Sequence, residues 1–237
     1  MLKRIYSKLN LSKRYEIYKK EKSIKSAHHN HRKQFLDDYK DIDNIIEDFR
    51  AGGGLKHDFQ SYKLWELKKY LRLNSPESIL EFGSGSSSSI FAKYSFQNKV
   101  PYTSYDESKH WIDNTKNILN NNLNDNIRFV HADRTFNFDE EITTVNYNID
   151  IDGFFDFVLI DGPSLRINNI RRKDAVNADI LKLSDLPKII LIDGRKSTFE
   201  YLVKKLGSKY KAFPSNLFTK TVLKSGYDYF SRLELIE

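Results

Sequence analysis

From residue 78 onward the chain alternates short apolar runs with longer segments of helical periodicity, the pattern of parallel βα units. Ser78 to Phe82, Tyr102 to Tyr105, Ile127 to His131, Phe155 to Ile160 and Lys188 to Ile192 read as strands. Helices are expected from about Ser87 to Tyr94, from Lys109 to about Leu119, from Arg172 to Leu183, and from a Ser197 cap to near Leu206. The stretch 135–153 is longer than an ordinary connection and is expected to hold an extra hairpin. The tail reads as a closing antiparallel hairpin, with Phe218 to Leu223 and Tyr227 to Leu235 joined across Lys224-Ser225-Gly226.

Upstream, Phe35, Tyr39, Ile42, Ile45, Ile46 and Phe49 line one face of a helix over 35–50, which Gly52-Gly53-Gly54 then breaks. Those glycines are expected to act as a hinge or lid. A second helix is expected from Asp58 through Tyr62, Trp65, Leu67, Tyr70 and Leu71 to a stop at Asn74-Ser75-Pro76. The expected architecture is an α/β fold: a seven-stranded, mostly parallel sheet with helices on both faces, plus an N-terminal helical extension. Residues 1–54 form the extension or cap and 55–237 the main domain.

Composition narrows the classes. With 39% hydrophobic and 30% charged residues, wholesale disorder is excluded. The absence of cysteine removes disulfides, thiolate nucleophiles and sulfur-ligated zinc. No apolar run reaches the roughly 18 residues of a membrane span, and no signal-type h-region opens the chain, so a soluble, cytoplasmic protein is expected. The +7 formal charge is uneven: residues 1–40 hold twelve Lys and Arg against four Asp and Glu. That arm reads either as a solvated Lys-rich helix or as a contact for nucleic acid or the anionic surface of a membrane.

The most informative run is Ser78-Ile79-Leu80-Glu81-Phe82-Gly83-Ser84-Gly85-Ser86-Ser87-Ser88-Ser89, a buried strand opening into a Gly-Ser turn and then a helix. Gly83 and Gly85 allow unusual φ angles and bare backbone beside a ligand. Asp106 ends the second strand, 23 residues after Gly83, where a carboxylate can accept both ribose hydroxyls of a nucleoside. A dinucleotide fingerprint needs a third glycine, and Ser88 stands in its place. Glu81 would repel a diphosphate but suits the ammonium of a methionine moiety, so the sign of charge favours S-adenosylmethionine (SAM) over NAD.

The run LEFGSGSSS resembles the first motif of Rossmann-like class I SAM-dependent methyltransferases, and the resemblance extends from about Ser78 to Gly194. Ser104-Tyr105-Asp106-Glu107 is similar to the acidic motif after the second strand, His131-Ala132-Asp133 to the end of the third, and Asp156 to Pro163 to the fourth-strand motif. The resemblance implies Gly83, Ser84 and Gly85 along the methionine and ribose, Asp106 on the ribose and Asp133 on the adenine amino group. Ser88 and the long loop after Asp133 depart from the family pattern.

FDFVLIDGPS and KIILIDGR repeat one design, a buried strand ending in Asp-Gly, so Asp161 and Asp193 are expected to meet at the ligand-binding edge of the sheet. Asp161 is the expected catalytic base or acceptor-orienting group. A variant reading makes both ligands of Mg²⁺, as in catechol-type O-methyltransferases, although Gly194 follows Asp193 where that family has Asn. A plain turn role for Asp193 stays open.

The acceptor is expected to be an oxygen on a sugar, polysaccharide or small metabolite. A nucleic-acid methyltransferase using the basic arm and a non-catalytic binding module are the rival readings; no Asn/Asp-Pro-Pro-Tyr-like motif supports the former. Acceptor identity and oligomeric state stay open. Among weaker features, His28-His29-x-His31 and His57 read as surface histidines, and Trp111 as a core aromatic. Arg166, Arg171 and Arg172 read as the wet face of a helix or a clamp for an anionic acceptor.

Overall fold

The computed structural model describes residues 15, 22, 25–54, 60–120, 123–139, 141–167, 170–172, 174–215 and 228–236. His57, the proposed strand Phe218 to Leu223, the turn at Lys224-Ser225-Gly226 and nearly all of the first basic residues lie outside them. Helical residues 25–34 lead into α1 (Leu36–Ala51), followed by α2 (Gln60–Asn74). The sheet segment then runs β1 (Ile79–Phe82), α3 (Ser86–Asn98), β2 (Tyr102–Asp106), α4 (Lys109–Leu119) and β3 (Ile127–His131). Next come β4 (Arg134–Phe138), β5 (Thr143–Tyr147), β6 (Phe157–Ile160), β7 (Arg166–Ile167), β8 (Ile170–Arg171) and β9 (Ala175–Asn177). β10 (Ile189–Ile192), α5 (Lys196–Leu206), β11 (Tyr210–Phe213) and β12 (Ser231–Leu235) complete the fold.

Seven strands form one sheet in the order β11-β12-β10-β6-β1-β2-β3. β10, β6, β1, β2 and β3 are parallel, and β12 runs antiparallel to both β10 and β11. β1, β6 and β10 are buried along their whole length, which is why they read as unbroken apolar runs: helices cover a parallel sheet on both faces. Tyr39, Ile42 and Ile46 of α1 pack with α2, α3, Ile79 and Tyr102 on one face; Leu80, Phe82, Val158 and Ile190 pack with Phe199 and Leu202 of α5 on the other.

The long connection does hold a hairpin, β4 with β5, extended by β9 into a second small sheet. The expected helix over 172–183 is corrected. Ala175–Asn177 pairs with β5 as β9, and only a 3₁₀ turn, Asp179–Lys182, follows, because a partner strand captures a segment whose short apolar run suits either period. Among the described residues, the closing antiparallel pair is β11 with β12. Ser197 does not cap α5: Arg195 stands at the cap and Ser197 lies inside the first turn.

α2 carries the unusual feature. Nine of its residues are buried, including Lys63 and Glu66, so both its apolar and part of its polar face are covered. Glu66 accepts the backbone N–H of Tyr229 at 2.7 Å, which lays the approach to β12 across the helix.

Candidate active site

The sheet register builds the site. Phe82, Ile160 and Ile192 are cross-strand neighbours, so the next residues, Gly83, Asp161 and Asp193, emerge side by side at the carboxyl edge. The ladder continues one step further: Asp161 N–H donates to the Phe82 carbonyl at 2.8 Å and Asp193 N–H to the Ile160 carbonyl at 3.0 Å. Strands about 4.8 Å apart therefore hold the two aspartates close enough for one small cation to bridge. Asp106 ends β2 on the far side of Gly83. A cavity of about 1060 Å³ opens over this edge, lined among others by Gln60, Lys63, Ser84, Asp106, Asp161 and Asp193. It lies at the upper end of small-molecule clefts, roughly 300–1,000 Å³, which leaves space for two reactants together.

At the glycine turn, Gly83 has φ +99° and its N–H donates to the Tyr105 carbonyl at 2.7 Å. Ser84 N–H donates to Asp106 Oδ2 and Ser108 N–H to Asp106 Oδ1, each at 2.7 Å. Burial lifts the Asp106 carboxyl to about 6, against those two donors, which favour its ionised form. Each carboxylate oxygen retains acceptor capacity for a hydroxyl. A Cβ placed on Gly85 meets no atom within 4 Å, so open space lies there, between cavity-lining Ser84 and Ser86.

Glu81 has a different place from the one expected. It is fully buried, lies outside the cavity lining, and accepts hydrogen bonds from Ser87 and Ser88 at 2.6 Å, Ser104 at 3.0 Å and the Tyr102 hydroxyl. Burial lifts its carboxyl to about 7 despite these donors. The carboxylate expected to meet a methionine ammonium, directly or through water, is spent within the fold: Glu81 ties the turn and the first turn of α3 to β2. Ser88 completes that tie, since its hydroxyl also accepts the Gly85 N–H at 2.9 Å. This is the use to which the missing third glycine is put.

Asp133 is exposed and does not line the cavity; β4, a strand of the second sheet, begins directly after it at Arg134. Trp111, expected in the core, is instead half-buried on the cavity wall. His28 and His31 are half-buried, while His29 is exposed. The His31 ring packs at 4.1 Å from Trp65 between ring centroids, its Nδ1 pairs with the Tyr39 hydroxyl at 2.8 Å, and burial lowers its pKa to about 4. The arginines are not on a helix: Arg166 is exposed at the cavity edge in β7, and Arg172 pairs with Asp174.

Asp161 and Asp193 do converge, and Lys63 joins them. Its Nζ lies 2.7 Å from Asp161 Oδ2 and also donates to Asp193 Oδ2. Side-chain exposure is 10% for Lys63 and 12% for Asp193 but 32% for Asp161, so Asp161 is the carboxylate open to the cavity. Burial and the charge of Asp193 push the Asp161 carboxyl above the usual range, and Lys63 and Arg195 only partly offset them. Burial also pushes Asp193 upward, but the Lys63 ammonium outweighs it and holds Asp193 below that range. The Tyr229 hydroxyl adds a hydrogen bond to Asp193, and Arg195 bonds the Asp161 carbonyl.

An O-methyltransferase from Bacillus cereus, solved with S-adenosylhomocysteine, aligns with a TM-score of 0.54 at 16% identity, over 82% of this chain and 90% of its own. The fold is that of the class I methyltransferases. A Podospora anserina methyltransferase bound to S-adenosylhomocysteine aligns at TM-score 0.53 and 13% identity, over 81% and 88% of the two chains. TomG, an O-methyltransferase of tomaymycin synthesis from Streptomyces achromogenes in complex with SAM, gives 0.51 and 15%, over 83% and 89%. No protein-family model and no curated protein matches the sequence.

On this methyltransferase fold, a divalent cation does not fit the Asp161–Asp193 pair as built. The positive charge between them is already the Lys63 ammonium, and no group of three or more His, Asp or Glu side chains with cation-binding geometry occurs among the described residues. Sequence reasoning missed Lys63, Gln60 and Arg195. The Gln60 amide nitrogen donates to the Ser86 hydroxyl at 3.1 Å, while its Oε1 is buried without a partner.

Proposed function

We propose that this chain is a SAM-dependent methyltransferase that methylates an oxygen on a sugar, polysaccharide or other small acceptor. The observation that carries the reading is that one cavity joins the Gly83–Ser86 bend and Asp106 to the cavity-facing carboxylate of Asp161. The aligned structures are methyltransferases, two of them O-methyltransferases, and this supports the reading. When bound, SAM supplies an electrophilic methyl group on a sulfonium sulfur.

The residues fit such a ligand. Asp106 accepts the ribose hydroxyls, the amino end of α3 receives the methionine carboxylate, and Gln60 Oε1 takes the ammonium in place of Glu81. Trp111 covers the adenine from the cavity wall. Asp161 orients the acceptor hydroxyl and accepts its proton; a carboxyl raised above its usual range is the better base near neutrality. Arg166 at the rim suits an acceptor carrying an anionic group.

Titration calorimetry with SAM and S-adenosylhomocysteine tests the reading. Both should bind the wild type, and Asp106→Ala and Gly85→Val should each weaken them at least about tenfold, some 1.4 kcal/mol. A folded wild-type protein that binds neither nucleoside rejects it.

A further inference from the structure

The Asp161–Asp193 pair has the form of a cation site, two carboxylates on adjacent strand ends opening to a ligand cavity, yet the cation it holds is a side chain. We propose that the Lys63 ammonium is the built-in substitute for a divalent metal here, holding the acceptor oxygen and balancing the negative charge that develops on it. The acceptor part of this inference rests on the methyltransferase reading; the cation part stands on geometry alone.

Three observations carry it. Lys63 reaches both carboxylates at once from α2, with its Nζ in the place a bridging metal ion would take. An ammonium has three N–H donors and the carboxylates take two, so one donor on a cavity-lining group is left for a ligand oxygen. The surrounding groups keep the lysine charged: burial alone would lower its pKa, but Asp161 and Asp193 hold it well above the ordinary value. In the reaction, the acceptor O–H proton passes to Asp161 and the oxygen forms a bond to the methyl carbon. The carbon–sulfur bond breaks with its electron pair remaining on sulfur, and S-adenosylhomocysteine leaves. Lys63 donates a hydrogen bond to the oxygen throughout and keeps its proton.

Mn²⁺, followed by its paramagnetic resonance signal, is the probe. Wild-type protein at about 1 mM Mn²⁺, the weak end of oxygen-ligand sites, should bind none, whereas Lys63→Met should bind one ion and Lys63→Met with Asp193→Asn none. Circular dichroism confirms folding, and Lys63→Gln, which keeps length and polarity, serves if the methionine variant does not fold. Mn²⁺ bound by wild type and lost in Asp193→Asn overturns the proposal, as does a folded Lys63→Met or Lys63→Gln protein that binds no ion. The wild-type measurement needs no variant to fold. S-adenosylhomocysteine binding, measured on the same samples, separates this outcome from failure of the methyltransferase reading.

Discussion

Gly83 and Gly162 lie back to back where the turns after β1 and β6 cross. A Cβ on Gly83 would come within 2.8 Å of the Asp161 carbonyl and the Gly162 nitrogen, and one on Gly162 within 2.7 Å of the Gly83 backbone. The glycine that opens the bend after β1 is thus required first by contact with the strand end that presents Asp161. Gly83→Ala, with φ +99° and backbone in its way, should cost about 2–4 kcal/mol of stability. Gly85→Ala, on extended backbone facing open space, should change it by less than about 1 kcal/mol. Chemical denaturation of the two variants checks the contrast.

In the proposed site, Asp106 should make nucleoside binding depend on pH. Its folded pKa of about 6 means that the carboxylate is ionised, and able to accept ribose hydroxyls on both oxygens, only above that value. Affinity for S-adenosylhomocysteine should be flat from pH 7 to 8 and fall as pH drops through about 6. Calorimetry across this range on wild type and Asp106→Asn checks it: the variant should bind weakly with no step near 6.

The sheet was legible because strands buried on both faces leave unbroken apolar runs, and Asp161 and Asp193 were legible because the same Asp-Gly follows two such runs. Register then brings them together without further information. Lys63 was not legible. On α2 it reads as one of several lysines on a wet face, and it is buried because strand ends from residues 161 and 193, with Tyr229 from far down the chain, close over that part of the helix. Glu81 shows a subtler loss. Its position in the motif was plain, but its destination depended on Ser87, Ser88, Tyr102 and Ser104, and the serine run after Gly85 was the available signal. Asp133 sits apart from the cavity because a strand of the second sheet starts one residue later.

Trp111 offers an optical readout. The chain has two tryptophans, of which Trp65 is buried among α1 and α2 while Trp111 lines the cavity. Nucleoside binding should alter the emission of wild type and of Trp65→Phe alike, and leave Trp111→Phe unchanged. A response that follows Trp65 instead would place the ligand elsewhere.

The buried carboxylates also set the pH of maximum stability. Burial lifts Glu66 to about 8, Glu81 to about 7, and Asp106 and Asp179 to about 6, all above their unfolded values of 4.5 for Glu and 3.8 for Asp. A carboxyl whose folded pKa is raised holds its proton more tightly in the native state, so stability falls as pH rises from the unfolded to the folded value and stays lower above it. Asp38, Asp41 and Asp193 act oppositely: their paired carboxylates sit below the ordinary range and lose their contribution only in stronger acid. The two sets place the optimum near the unfolded carboxyl values, at about pH 4 to 4.5, acid of the common plateau near 5–8. Glu66 accounts for the most alkaline part of the decline. Denaturant melts from pH 4 to 9 should therefore show stability falling from about 4.5 to about 8 in wild type, with the fall between about 7 and 8 shallower in Glu66→Gln; an unchanged slope there in that variant would assign the decline to other groups.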